Sequence, residues 1–159
     1  MGPRSLWEGT TVDKLRHREF IGFQVYMAQR SLARSLDATL APFGLTGGQW
    51  NMLNQLEEYG AMTQKELADR VRKEPATVAR MLDRLVKHGL VRRTASSQDR
   101  RANIVENTAE ASRLLVEIEP HVVSRADQIA DGISDEDLAT FFDVLEQVRQ
   151  NATKSGGAF

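Results

Sequence analysis

Residues 63–89 read TQKELADRVRKEPATVARMLDRLVKHG, and this stretch decides the fold. Thr63 and Glu66 have the spacing of a capping box, in which each side chain accepts a hydrogen bond from the other residue's backbone N–H. A second helix is predicted to begin at Pro75, since proline at the first helical position loses no intrahelical hydrogen bond. Gly89 ends that helix. A short helix, a tight turn and a second amphipathic helix predict a helix-turn-helix.

The second of these helices has an apolar side and a polar side. Burying the apolar side removes the most apolar surface from water, so it is predicted to face the core with Val78, Leu82, Leu85 and Val86. A recognition helix enters the major groove of DNA with its N-terminal residues at the base edges. The residues on the polar side, which would meet the DNA, are Ala76, Thr77, Arg80, Arg84 and Lys87.

The segment after Gly89 is predicted to form a hairpin. Residues 90–93 and 103–106 are short strand candidates, and the polar residues 94–102 between them indicate a long exposed tip. A basic hairpin directly after a helix-turn-helix makes that motif a winged one.

Apolar residues at helical spacing predict two helices before this region. Residues 13–40 form one long amphipathic helix, which Pro42 and Gly44 end. Thr46 then begins a helix with a second capping box, and Gly60 ends it.

Two further helices are predicted after the hairpin, beginning after Thr108 and Ser134. Pro120 lies inside the first of them, where it is expected to kink or divide the helix. The predicted fold class is therefore mainly α with a small β-hairpin, in which a winged helix-turn-helix is flanked by N-terminal and C-terminal helices.

The net charge of -1 over 159 residues conceals an uneven distribution of charge. Residues 64–101 carry 11 basic and 5 acidic side chains, a net charge of +6, and residues 102–159 carry 4 basic and 11 acidic ones, a net charge of -7. Local potential rather than total charge attracts phosphate, so the basic segment favours a polyanionic partner.

The composition excludes several other classes of protein. There is no cysteine, which excludes disulfides and thiolate metal sites. The three histidines show no metal-ligand spacing, and the sequence has neither a phosphate-cradling glycine loop nor a Ser/His/Asp set. No apolar stretch approaches the roughly 20 residues of a membrane span. We expect a cytoplasmic protein that is not an enzyme and has neither cofactor nor metal, associated with the nucleoid when it is bound to DNA.

Four segments in this order resemble the MarR/SlyA family of bacterial transcriptional regulators: LTGGQW at 45–50, TQKELA at 63–68, RMLDRL at 80–85 and DRR at 99–101. The resemblance implies a homodimer that binds double-stranded DNA at a pseudo-palindromic operator, as a repressor that a small aromatic or phenolic ligand releases. It implies a helical dimerisation region formed by residues 13–44 and 108–151, and a winged helix-turn-helix DNA-binding region at 45–107. Residues 154–159 are expected to form a flexible tail. Asn107 occupies a position where this family usually has leucine.

Position in the motif and the resemblance together predict the site residues. The expected DNA contacts are Pro75, Ala76, Thr77, Arg80, Arg84, Arg92, Arg100 and Arg101, and Asp99 supports the wing. Lys65, Arg72 and Arg93 are expected to be phosphate contacts or solvated charges. The aromatic residues that could line a ligand cleft are Trp50, Phe20, Phe43 and Tyr26. The alternative hypothesis is a winged-helix protein-interaction module that does not bind DNA, with a basic segment that is merely solvated.

Overall fold

A computed structural model describes the backbone of residues 11–95 and 103–155, and the side chains of residues 21–95 and 103–154. Its elements are α1 (Thr11–Leu40), a 3-10 turn (Ala41–Phe43), α2 (Gly47–Tyr59), β1 (Met62–Thr63), α3 (Gln64–Val71), α4 (Pro75–Lys87), β2 (Val91–Ala95), β3 (Asn103–Asn107), α5 (Ala109–Ala130) and α6 (Asp135–Ser155). The chain divides into two compact units, which meet in sequence between Val123 and Ser124. The predicted fold class, mainly α with a small sheet, is confirmed.

Both capping boxes predicted from the sequence are present. At the start of α2, the Thr46 N–H donates to Gln49 Oε1 at 3.0 Å, and the Gln49 N–H donates to Thr46 Oγ1 at 3.3 Å. At the start of α3, the Thr63 N–H donates to Glu66 Oε2 at 2.7 Å, and the Glu66 N–H donates to Thr63 Oγ1 at 3.1 Å. These local bonds satisfy backbone donors that a helix leaves unpaired, and they set where both helices begin.

The capping hydrogen bonds from the Thr63 backbone and side chain hold the pKa of Glu66 below its ordinary value of 4.5. A carboxyl whose pKa is lower in the folded state contributes stability above its unfolded pKa, and this is lost as the pH falls through the folded pKa. Glu66→Gln keeps the shape of the cap without the charge. We expect this variant to be less stable than the wild type at about pH 6, and the difference to narrow towards about pH 3.

Urea unfolding at a series of pH values checks this expectation, and Glu58→Gln, which removes a carboxylate near the C-terminal end of α2, serves as the control. A difference between Glu66→Gln and the wild type that stays constant into acid would contradict the assigned role of the carboxylate.

The sheet has three antiparallel strands rather than two, in the order β1-β3-β2. The hairpin pairs Val91 with Asn107 and Ala95 with Asn103, so β2 begins one residue later and ends two residues later than expected. The sequence does not predict β1, in which Met62 pairs with Val105. A strand of two residues is too short for its alternation of polar and apolar residues to be recognised.

The core of the first unit lies where α2, α3, α4 and the sheet meet, with Leu53, Leu67, Leu82 and Val105 fully buried. On α4 the buried side chains are Val78, Leu82 and Leu85. The prediction that Val86 also faces inward is wrong, because its side chain is 37% exposed. Val86 lies at the edge of the apolar arc of α4, and the partly buried Met81 packs against the core at the other edge.

The helices after the sheet also differ in detail from the prediction. Helix α5 begins after Thr108, whose Oγ1 accepts a hydrogen bond from the Ala111 N–H at 3.3 Å. It continues through Pro120 without division. Helix α6 extends to Ser155, so residues 154 and 155 are not part of a flexible tail, and residues 156–159 lie outside the described residues. No helix in the described ranges is long and apolar enough to span a membrane.

Candidate nucleic-acid interface

The turn between α3 and α4 and the first turn of α4 are open to solvent. The Glu74 carbonyl accepts hydrogen bonds from the N–H groups of Thr77 and Val78, at 2.9 and 3.1 Å, and so begins α4 directly after the turn. Pro75 and Ala76 are exposed and small, and Thr77 is half-buried. The N-terminal end of α4 therefore presents little bulk, which permits a close approach to a flat or grooved partner.

The outward side of α4 carries Arg80 one turn further along. Its Nη2 lies 3.4 Å from Thr77 Oγ1, so both side chains point from the same face. Arg84 follows on that side and is exposed. The opposite side of the helix is packed into the core by Val78, Leu82 and Leu85. The structure thus confirms the predicted inward and outward faces, except at Val86.

The cations of the basic segment fall into two groups. Arg92 pairs with Glu106 at 3.0 Å, Arg93 pairs with Asp83 at 2.5 Å, and the Arg70 guanidinium lies 3.8 Å from the centre of the Tyr59 ring. Within the part of the chain that the structure describes, six others have no carboxylate within ion-pairing distance: Lys65, Arg72, Lys73, Arg80, Arg84 and Lys87. All six are on α3, α4 or the turn between them, where uncompensated positive charge is available to a phosphate partner.

Arg93 has a role that the sequence did not reveal. Its guanidinium donates to Asp83 Oδ1 and, at 3.2 Å, to the Ala79 carbonyl, and its side chain is only 27% exposed. The Arg93 side chain therefore forms a strut, a polar contact that joins β2 to α4. Asp83 makes its ion pair with Arg93, and among the described residues no ion pair joins it to Arg80 or Arg84. No short-range sequence signal identifies this pair, whose partners belong to different elements.

A double-mutant cycle measures the strut. With Asp83→Ala, Arg93→Ala and the double variant, we expect a coupling of about 0.5–1 kcal/mol in the free energy of unfolding, because Asp83 remains largely solvated. The Arg92–Glu106 cycle is the matched control within the hairpin, and its coupling should be smaller because the Arg92 side chain is 67% exposed. Urea unfolding gives both values. A coupling for the strut no larger than that of the control would contradict its assignment.

The base of the wing is anchored by a second polar cluster, centred on Asn107. Its Nδ2 donates to the Leu53 carbonyl at 2.9 Å and to Glu57 Oε2 at 2.8 Å. Ser112 Oγ donates to the same carboxylate oxygen at 2.8 Å. The end of β3 is thus tied to α2 and α5 by hydrogen bonds. Arg92, on the neighbouring strand, stays accessible, whereas Asp99, Arg100 and Arg101 lie outside the described residues.

The aromatic residues proposed to line a ligand cleft occupy different settings. Trp50 and Phe43 are partly buried and pack against the core, and the Phe43 ring is 5.2 Å from the ring of His121. Tyr26 is exposed on α1, and the side chain of Phe20 is outside the described residues. Among the described residues, no cluster of three or more metal-ligating side chains is present.

This geometry agrees with the similarity of the chain to known proteins. The sequence matches the MarR family over residues 45–102. It is 33% identical over 118 residues to the HTH-type transcriptional regulator YwoH of Bacillus subtilis, which is itself uncharacterized, covering 74% of this chain and 85% of that protein.

Two solved structures share the fold. A cysteine-to-serine mutant of MarR from E. coli, complexed with operator DNA, is similar with a TM-score of 0.76 at 25% identity, over 82% of this chain and 95% of the other. A MarR transcriptional regulator from Methanosarcina mazei Go1 is similar with a TM-score of 0.75 at 24% identity, over 86% of this chain and 98% of the other. Because the second structure is only 24% identical to this chain, it supports a shared fold and nothing further.

Proposed function

The chain belongs to the MarR family of transcriptional regulators, and from that premise we propose that it is a sequence-specific repressor acting as a homodimer on a pseudo-palindromic operator. The observation that carries the proposal is the outward face of α4. Arg80 lies there without an ion pair to any described carboxylate, and the first turn of the helix beside it is exposed and carries small side chains. The guanidinium fork matches the O6 and N7 acceptors of guanine in the major groove. Such a repressor would act in the cytoplasm, on the nucleoid.

Backbone contacts in the proposed complex would come from the cations around that face. Phosphate contacts position a protein on the duplex, whereas contacts with base edges specify the sequence. Arg84 would serve the first purpose, as would Arg92 if it exchanged its exposed ion pair with Glu106 for a phosphate. Thr77, beside Arg80, would meet a thymine methyl group or a phosphate. Arg100 and Arg101 would complete the proposal as contacts from the wing tip, and Asp99 would hold an arginine in position by a charge-assisted hydrogen bond.

Apolar surface that the described chain leaves uncovered supports the homodimer. On α1 the apolar stripe is covered near the C-terminal end, where Leu40 is in the core and Leu36 packs against it. Towards the N-terminus the stripe is exposed at Val25 and Leu32. On α6, taken by itself, the exposed large apolar residues include Phe141, Phe142 and Val144. Contiguous exposed apolar surface marks an interaction site, and a second copy of the chain would cover it.

In the proposed homodimer, two recognition helices about 34–36 Å apart would read half-sites about one helical turn of DNA apart. Release by a small aromatic or phenolic effector requires that this ligand bind a dimer with a different helix separation more tightly than the DNA-bound form. Trp50 and Phe43 are the proposed contacts for it, with Phe20 and Tyr26 from α1.

A DNA titration tests the proposed function directly. Binding sequences are first selected from a random pool, and the affinity of the purified protein for the selected and for scrambled duplexes is then measured across salt. We expect the protein to bind the selected sequence at least about 1,000-fold more tightly than the scrambled one, with an affinity that falls steeply as the salt concentration rises. A protein that selects no sequence and stays indifferent to DNA would instead be the protein-interaction module.

A further inference from the structure

Arg72 has the one left-handed backbone conformation among the non-glycine residues that the structure describes, with φ 50 and ψ 50. It ends α3, and its N–H donates to the Asp69 carbonyl at 3.3 Å. A Cβ is disfavoured in this conformation, so glycine or asparagine is the usual choice at such a position. The chain places an arginine in the middle of its helix-turn-helix despite that steric cost.

Elsewhere this chain follows the usual preference. The other described residues with positive φ are all glycines, at Gly44, Gly60, Gly89 and Gly132. A residue held in a sparsely populated backbone region is a reason to ask what its side chain does. At Arg72 the side chain is exposed, and among the described residues no carboxylate pairs with it. No contact within the described fold therefore accounts for an arginine at this position.

The position of Arg72 in the motif indicates what its charge can reach. It lies three residues before Pro75, the first residue of α4. An α-helix with its side chains is about 10–12 Å across and the major groove is about 12 Å wide, so a helix that enters the groove fills it from wall to wall. The turn just ahead of the helix then lies against a wall of the groove, which is a row of phosphates.

We propose that Arg72 is a phosphate-contacting residue, and that its charge on the DNA backbone offsets the conformational cost of arginine in the turn. This inference rests on the proposed DNA-binding function and adds a contact that precedes the recognition helix. The contact would be the same on every sequence, since it meets the backbone and not the bases. Lys73 extends the same positive surface by one residue.

Three substitutions separate the charge of Arg72 from its backbone strain. Arg72→Lys keeps the charge and the strain, Arg72→Gln keeps the strain alone, and Arg72→Gly removes both. For the DNA-free protein we expect Arg72→Gly to raise Tm by about 2–4 °C, and the other two variants to leave it near the wild-type value.

The expected effects on DNA affinity follow a different order. Arg72→Gln and Arg72→Gly should both weaken binding by about 5–10-fold on selected and scrambled duplexes alike, and should make the slope of log affinity against log salt shallower by about 2, since each subunit of the homodimer loses one phosphate contact. Arg72→Lys should stay close to the wild type. Arg113→Gln, which removes one charge from the start of α5, is the matched control and should leave affinity and slope unchanged.

The outcomes of these measurements distinguish failure of the proposed Arg72 contact from failure of the proposed DNA-binding function. If the wild type binds DNA and Arg72→Gln binds equally well with the same salt slope, the phosphate contact is refuted while the proposed function stands. If Arg72→Gly loses thermal stability, the side chain has a structural role and the inference is overturned as well. A wild type that binds no DNA refutes the proposed function itself.

Discussion

Arg80→Ala is expected to weaken binding to the selected operator by about 100-fold or more, because the contact is lost from both half-sites, and to flatten the preference among base pairs at one position of each half-site. A good bidentate contact between arginine and guanine contributes about 1–3 kcal/mol of discrimination, and alanine makes no such contact. Arg80 stands on the outward side of α4, so its removal leaves Val78, Leu82 and Leu85 packed in the core. The stability of the variant should therefore match that of the wild type.

The measurement is a set of titrations on the selected operator, on single-base-pair variants of it and on scrambled duplex. Arg80→Lys keeps the charge without the fork, so we expect it to retain phosphate attraction but not the preference for one base. Arg101→Ala, at the proposed backbone contact that follows β2 in sequence, should weaken all duplexes by a similar factor. Equal losses on the selected and the scrambled duplex for Arg80→Ala would show that Arg80 contacts the DNA backbone rather than a base.

Val25→Asp is expected to weaken the proposed homodimer by about 100-fold or more. Burying an unpaired charge costs about 3–5 kcal/mol, and the symmetry of a homodimer introduces the charge twice. Val25 is 40% exposed in the single chain, and it lies on the same stripe of α1 as Leu32 and Leu36. The variant should therefore fold as a subunit, because the substitution disturbs no buried contact within the described chain.

Met27→Asp is the matched control on the same helix. Met27 is 39% exposed, and at two residues from Val25 it points to the far side of α1, about 160–200° round the axis. Sedimentation of both variants over a range of concentrations gives their dimer dissociation constants, and circular dichroism checks their helix content. Val25→Asp should dissociate at concentrations where Met27→Asp is still a dimer. If both variants dissociate equally, the stripe is not the interface.

Loss of the dimer should also be visible on DNA. A dimer that engages two half-sites gains about 10²- to 10⁴-fold in affinity over a single recognition helix, through effective concentration alone. Val25→Asp should thus bind the full operator hardly better than a half-site, although every proposed DNA-contacting residue is intact. An operator affinity that is unchanged in a monomeric variant would refute the proposed geometry of two half-sites.

Local features of this chain were predictable because their partners are close in sequence. The capping boxes at Thr46 and Thr63 connect residues three apart, and both formed as expected. The apolar spacing on α4 identified Val78, Leu82 and Leu85, since a helix repeats every 3.6 residues. The prediction failed at Val86, where the helix period leaves the edge of the apolar arc undetermined.

The candidate site was predictable in part for the same reason. The outward placement of Thr77 and Arg80 follows from the helix period once the inward side is known. The roles of the other arginines were not predictable, because composition cannot say which cation meets a carboxylate from another element. Arg93 is engaged by Asp83 and the Ala79 carbonyl, whereas Arg72 is free of any described carboxylate.

The sequence by itself determined the order of the helices, their caps, the wing and the basic character of the helix-turn-helix, since each depends on neighbours within a few residues. Only the tertiary structure decided the pairing of Met62 with Val105 and the bond from Asn107 to Leu53, whose partners are 43 and 54 residues apart in sequence. It likewise decided which arginines remain available to DNA. Such contacts depend on how separate elements pack, and no local period or motif encodes that packing.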